Sequence, residues 1–310
     1  MTDVIKMTNV KSGNPGNTGN PGNTGNPGNT GNTGNTGNTG NTGNTGNSQL
    51  AGKVWLVGAG PGDAELLTLK AYRILQRADV WLVDDLVSED ILALAPTHAR
   101  IVPVGKRGGC PSTSQGFILR LMARYAQSGL QVARVKGGDP FIFGRGGEEL
   151  AWLSERGIAA EAVSGITAGL ASASALNLPL THREVARGVA FVTAHTADSS
   201  RPEWAALAKS ELTVICYMGM SRKEQLQQEL LDAGFAADLP VAAIERVSCR
   251  NERSVVTTLG RMSVDIRVAG LASPAVLVLG RAVAYRVCNN TEADHEGRPQ
   301  RATDSIYQVL

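Results

Sequence analysis

The stretch Val54-Trp55-Leu56-Val57-Gly58-Ala59-Gly60-Pro61-Gly62-Asp63, followed by Ala64 to Arg77, decides the fold. Its first four residues form an apolar run short enough for a buried strand, and a glycine loop follows. Beyond the loop, Leu66, Leu67, Ala71, Ile74 and Leu75 recur at helical spacing, which gives residues 64–77 one apolar face. The unit is strand, glycine loop, helix. It repeats with apolar runs at 80–83, 101–104, 132–135 and 161–163, separated by helical stretches. Continuous apolar strands alternating with helices imply a parallel sheet covered on both faces. After Asn177-Leu178-Pro179-Leu180 the rhythm restarts at 189–193, 213–217, 241–245, 254–258 and 275–279. The expected fold class is therefore α/β, with an N-terminal domain at 51–185, a C-terminal domain at 186–285, and the active site in the cleft between them.

Residues 13–48 read as Gly-Asn-X triplets, and twelve of the 36 glycines fall at every third position from Gly13 to Gly46. That period matches collagen, yet Asn fills the second position throughout and proline is sparse, so the triple helix is not encoded. With no apolar side chain to bury, residues 1–50 are expected to be a disordered low-complexity leader without chemistry of its own. Residues 286–310 read as a polar tail.

The chain is 42% hydrophobic and 19% charged, enough apolar surface for a sizeable core in its body. A formal net charge of +2 argues against a dedicated nucleic-acid or membrane-surface binder. No apolar run approaches the ~20 residues that cross a bilayer, and residues 1–10 lack the apolar core of a secretory signal. A cytoplasmic protein with no nucleic-acid or membrane partner is expected. Cys110, Cys216, Cys249 and Cys288 form no CxxC pair, so neither a metal site nor a disulfide framework is indicated.

Three glycine loops carry the functional reading. In the first, Asp63 stands where a dinucleotide fingerprint would place its last glycine, and Pro61 removes an amide that could hold pyrophosphate, so the nicotinamide reading is weak. The second, Gly137-Gly138-Asp139-Pro140-Phe141-Ile142-Phe143-Gly144-Arg145-Gly146-Gly147-Glu148-Glu149, follows a strand and has far more glycines than a plain turn needs. The third, Ser164-Gly165-Ile166-Thr167-Ala168-Gly169, opens a helix of small residues. Parallel strands bring all three to one edge of the sheet, where open α/β sheets take their ligands.

These motifs resemble those of the uroporphyrinogen-III C-methyltransferases, a branch of the S-adenosyl-L-methionine-dependent tetrapyrrole methylases. The resemblance rests on VGAGPGDAELLTLKA from Val57, ADVWLVDDLVS from Ala78, VGKR from Val104, VKGGDPFIFGRGGEE from Val135, VSGITAGLASASALNLPLTHR from Val163, TVICYMGM from Thr213 and SPAVLVLGRAV from Ser273. It covers roughly 52–285, and the GGDPF, GRGGEE and PLTHR segments are its specific part. The resemblance implies two successive methylations of uroporphyrinogen III, at carbons 2 and 7, giving precorrin-2 and S-adenosylhomocysteine, by a homodimer. It implies Asp84 as proton acceptor and Lys106 as proton donor. It also implies cofactor contacts at Pro61, Gly137, Gly138, Asp139, Ile142, Thr167, Ala168, Met218 and Val247.

The substrate carries eight carboxylates, and a planar guanidinium suits them, so Arg145 beside Glu148 is expected to orient substrate and to share in catalysis. His182 and Arg183 extend the same rim as substrate-binding residues. The alternatives are a methyltransferase of the same superfamily acting on a later precorrin, a nicotinamide enzyme, and a non-catalytic tetrapyrrole carrier.

Overall fold

The computed structural model describes residues 52–105, 114–194 and 202–287. Lys106, the leader, and the tail beyond residue 287 lie outside the described residues. The chain divides into residues 1–47 and a second unit, residues 48–310, to which all the described residues belong.

Ten strands are found among the described residues: β1 (Lys53–Gly58), β2 (Val80–Val83), β3 (Arg100–Pro103), β4 (Gln131–Lys136), β5 (Ala160–Val163), β6 (Val189–Thr193), β7 (Thr213–Tyr217), β8 (Pro240–Glu245), β9 (Arg253–Thr258) and β10 (Ala275–Leu279). The helices are α1 (Leu69–Leu75), α2 (Glu89–Leu92), α3 (Gln115–Gln127), α4 (Gly146–Ser154), α5 (Ala168–Ala175), α6 (Trp204–Ala208), α7 (Lys223–Asp232) and α8 (Met262–Val268).

The first sheet has the order β3-β2-β4-β1-β5, and every pairing in it is parallel. Side-chain alternation splits its core. Val54, Leu56, Leu82 and Val132 pack with Ile118 and Met122 of α3 and Leu153 of α4, while Val57, Trp81, Val83 and Val135 pack with Ala71 and Leu75 of α1 and Ile91 of α2. Both faces are thus covered, as the apolar runs require.

The second sheet has the order β6-β7-β10-β8-β9 and is mixed. β6 and β7 are parallel, β10 runs against both β7 and β8, and β9 runs against β8. For β9 the reason lies in connection length, because the segment between β8 and β9 is too short for the dozen or more residues of a parallel crossover. One face packs on α7 and α8, and the other on Ala171 of α5 and Val283. Helix α5 therefore emerges from the first sheet and buries itself against the second.

One expectation is corrected. Residues 64–77 are not a single helix: a 3-10 turn at Ala64–Leu66 ends at Leu67 in extended backbone, and α1 starts afresh. Two local caps outcompete the continuous helix. Asp63 Oδ1 accepts from Glu65 N–H (2.8 Å), and Thr68 Oγ1 accepts from Ala71 N–H (3.1 Å).

Candidate active site

Parallel pairing puts the ends of β1, β4 and β5 side by side, and the glycines let their loops touch. Gly60 and Gly138 form an isolated antiparallel bridge, with Gly138 N–H donating to Gly60 O (2.7 Å) and Gly60 N–H to Gly138 O (3.2 Å). Both have left-handed backbone, φ +74° and +68°, where a side chain is strained. A Cβ on Gly165 would lie 2.2 Å from Gly138 O, and one on Gly58 would lie 2.4 Å from Gly165 N. The three loops are therefore in backbone contact. Asp139 fastens two of them, since its Oδ2 accepts from Gly165 N–H (3.0 Å) and its Oδ1 from Phe141 N–H (2.8 Å).

The second sheet closes on these loops at two places. Tyr217, the last residue of β7, accepts from Gly169 N–H (2.7 Å) and shares a 2.6 Å hydrogen bond with Thr167 Oγ1. Its ring lies 4.9 Å from that of Phe143. Burial, partly offset by the Thr167 and Gly169 hydrogen bonds, pushes the Tyr217 phenol up from its ordinary value. Met218 follows in left-handed backbone (φ +56°), and 48% of its surface is exposed. At the second place, Ser248 Oγ accepts from Asp63 N–H (3.1 Å), and Val247, buried, lies between the left-handed residues Arg246 and Ser248. A Cβ on Gly62 would lie 2.3 Å from Cys249 Sγ and 3.3 Å from Val247 O.

Asp84 leaves the end of β2. Its N–H donates to Val135 O (3.0 Å), its Oδ1 accepts from Asp85 N–H (3.0 Å), and its Oδ2 meets Arg134 Nη2 at 3.3 Å. Its side chain is 36% exposed against 3% for Arg134. Gly105, which precedes Lys106 in the chain, packs tightly against Asp85.

Arg145 has left-handed backbone (φ +58°) before α4, and its guanidinium takes Glu148 in a fork, Nε reaching Oε1 at 3.0 Å and Oε2 at 3.1 Å. Both side chains are exposed. The Glu148 hydrogen bond raises Arg145 above its ordinary value, and Arg145 holds the Glu148 carboxyl below its own. Ile142 is half-buried in the same loop, its N–H donating to Asp139 O (3.3 Å). Pro61 is half-buried, and Ala168 opens α5 just after the Thr167 cap.

His182 has other partners. It stacks on Tyr285 at 4.0 Å and closes a turn with Ala186, whose N–H donates to His182 O (2.9 Å), while Arg183 is exposed in that turn. The structure thus brings together Pro61, Gly137, Gly138, Asp139, Ile142, Thr167, Ala168, Met218 and Val247 around the loops, and stacks His182 on Tyr285.

The sequence reading missed Tyr217 and a buried charge group. Arg134 and Lys136 sit on alternate positions of β4, facing α3 and α4, and Glu149 of α4 lies against them with no exposure. Two cations inside an otherwise apolar central strand were the available signal. No cluster of three or more His, Cys, Asp or Glu that could hold a metal is found among the described residues.

Comparison with known proteins places this geometry in a family. A model of tetrapyrrole (corrin/porphyrin) methylases matches residues 53–263, and one of collagen triple-helix repeats matches residues 9–59, overrunning into β1. The chain is 56% identical over 231 residues to a uroporphyrinogen-III C-methyltransferase of Pseudomonas aeruginosa, covering 74% of this chain and 94% of that one. A solved uroporphyrin-III C-methyl transferase of Thermus thermophilus in complex with S-adenyl homocysteine is 41% identical at a TM-score of 0.65, covering 75% and 94%. A cobalt precorrin-4 methyltransferase is 29% identical at 0.68, covering 76% and 97%, so backbone likeness alone does not separate substrates within the family. Family match and identity agree over most of the described residues, and the chain belongs to the tetrapyrrole methylases.

Proposed function

We propose that this chain methylates uroporphyrinogen III at carbons 2 and 7, giving precorrin-2, with S-adenosyl-L-methionine as donor. The observation that carries the reading is the contact of three glycine loops at one sheet edge, in a chain 56% identical to a uroporphyrinogen-III C-methyltransferase. The donor supplies a sulfonium methyl that is already electrophilic.

The residues present fit that group. Gly137 offers main-chain groups to its amino-acid end, Gly138, whose own N–H and carbonyl are taken by Gly60, lets that end approach the backbone closely, Ile142 and the half-exposed Met218 offer apolar surface to adenine, and Pro61, Asp139, Thr167, Ala168 and Val247 frame the rest. The protein's task is alignment of a pyrrole carbon with the methyl and exclusion of water. As the new carbon–carbon bond forms, the ring becomes cationic and sheds a proton. Asp84 takes it onto a carboxylate oxygen at the end of β2; Lys106 donates a proton to solvent and is recharged from Asp84, which leaves the carboxylate ionised for the second transfer. Arg145 with Glu148 orients the carboxylates of the macrocycle, and His182 and Arg183 extend that rim. In this reading 51–185 and 186–285 act as two lobes of a homodimer subunit that works in the cytoplasm. Among the described residues, no helix is long and apolar enough to cross a membrane.

The test is turnover of the full chain with S-adenosyl-L-methionine and uroporphyrinogen III, followed by mass analysis. Two methyl groups added, with one S-adenosylhomocysteine released for each, is the expected result. Transfer only to a substrate already methylated would move the assignment to a later precorrin, and no transfer to any tetrapyrrole would overturn it.

A further inference from the structure

Beneath the proposed base lies a chain of charges that runs from full burial to the cleft. At its inner end is Glu149 of α4, with no side-chain exposure. Its Oε1 accepts from Gln115 Nε2 of α3 at 2.9 Å, from Arg134 Nε at 3.4 Å and from Lys136 Nζ at 3.4 Å. Its Oε2 accepts no hydrogen bond and has Lys136 Nζ at 3.4 Å. Arg134, in the middle, has all three guanidinium nitrogens engaged. Nε goes to Glu149, Nη1 to Leu82 O (3.3 Å) and Val135 O (3.4 Å), and Nη2 to Asp84 Oδ2 (3.3 Å). At the outer end Asp84 is the one partly exposed member.

Such burial is costly, and well-packed apolar side chains could fill the same volume without penalty. Arg134 and Lys136 are the right parity on β4 to face α3 and α4, where Leu82 and Val132 take apolar partners instead. The arrangement does one thing an apolar core would not: it fixes the plane of a guanidinium from the buried side so that its free edge meets Asp84. A carboxylate has about four lone-pair positions. Arg134 takes one on Oδ2 and Asp85 N–H takes one on Oδ1, leaving the remainder toward solvent.

We propose that Glu149 is a positioning residue for Asp84, acting through Arg134 to set the orientation in which the carboxylate receives the substrate's proton. The proposal rests on the reading of Asp84 as the base. Gln115 and Lys136 complete the clamp, Gln115 by bonding the carboxylate and Lys136 by balancing its charge.

The experiment is a double-mutant cycle on the full chain, with kcat and KM for uroporphyrinogen III, S-adenosylhomocysteine affinity by calorimetry and thermal unfolding read for every variant. Asp84→Asn is expected to lower kcat by ~100- to 10,000-fold. Glu149→Gln is expected to lower kcat by about 10- to 100-fold with KM and S-adenosylhomocysteine affinity within about twofold of wild type, since a misaligned base affects only the transition state. In the Asp84→Asn background, Glu149→Gln should cost nothing more, as expected for residues acting as one unit. If the two losses multiply, Glu149 does not act through Asp84 and the positioning role is overturned while the base assignment stands. Normal turnover by Asp84→Asn would overturn the base assignment and the positioning role with it. Should Glu149→Gln fail to fold, the charge-balanced pair Glu149→Gln with Lys136→Met is read in both backgrounds, with the same outcomes.

Discussion

The first sheet runs all its strands one way, and the second mixes directions; their contributions to the cleft differ accordingly. In the first, every strand delivers its carboxyl end to the same edge, so β1, β2, β4 and β5 supply the three glycine loops and Asp84. In the second, β9 and β10 run against the others, and the ends of β7 and β8 deliver Tyr217 with Met218 and the 246–249 turn to those loops, while Phe191 of β6 lies against Gly169. A parallel sheet gathers chemistry at one rim, whereas a mixed sheet contributes a cover.

Substitutions at the parallel rim should cost more than those in the mixed cover. Gly165→Ala forces a methyl group against Gly138 O and Gly58, backbone on both sides, and is expected to lose about 4 kcal/mol of stability with S-adenosylhomocysteine binding abolished, read by thermal unfolding and calorimetry. Glu149→Gln leaves two buried cations with only half-exposed Asp84 as counter-ion and should cost about 3 kcal/mol, part of which Lys136→Met restores by rebalancing the charge. Burial, and then the neighbouring Arg134, lower Lys136 from its ordinary 10.5 despite Glu149 and Asp84. Between that lowered value and 10.5 the unfolded chain binds the extra proton, so this group makes stability rise with pH there, and Lys136→Met should remove that component.

The cover should matter less. Tyr217→Phe removes the hydroxyl shared by Thr167 and Gly169 but keeps the ring against Phe143, so a loss of about 1–2 kcal/mol is expected, seen as weaker S-adenosylhomocysteine binding. Arg145→Lys keeps charge without the planar fork and should raise KM for uroporphyrinogen III about tenfold with kcat little changed. Deleting residues 1–50 should leave turnover unchanged, because the repeat offers no apolar surface for docking.

The strands were legible because runs such as Val80–Val83 and Thr213–Tyr217 are apolar on consecutive residues, and the three glycine clusters stood out by composition alone. Strand direction in the second half was not legible, since periodicity carries no sign, and the short β8–β9 connection decides it for β9 alone. The split at Thr68 depended on which of two hydrogen-bonding modes its hydroxyl chose. Tyr217 and Glu149 escaped for a different reason. Their partners lie far along the chain, at Gly169 and Arg134, and a long-range pair leaves no trace in local spacing. The resemblance implies a cofactor contact at Asp139, and the structure adds that its carboxylate ties the second loop to the third.

The bridge between Gly60 and Gly138, with Asp139 pinned to Gly165, bears on the thermodynamics of ligand entry. Loops already braced by main-chain hydrogen bonds have little disorder left to lose, so the entropy of backbone ordering, which flexible binding loops must lose at the moment of association, has here been spent during folding. Calorimetry would then register mainly the dehydration of Met218 and Ile142, a modest negative heat-capacity change, instead of the large one that accompanies a loop folding around its ligand.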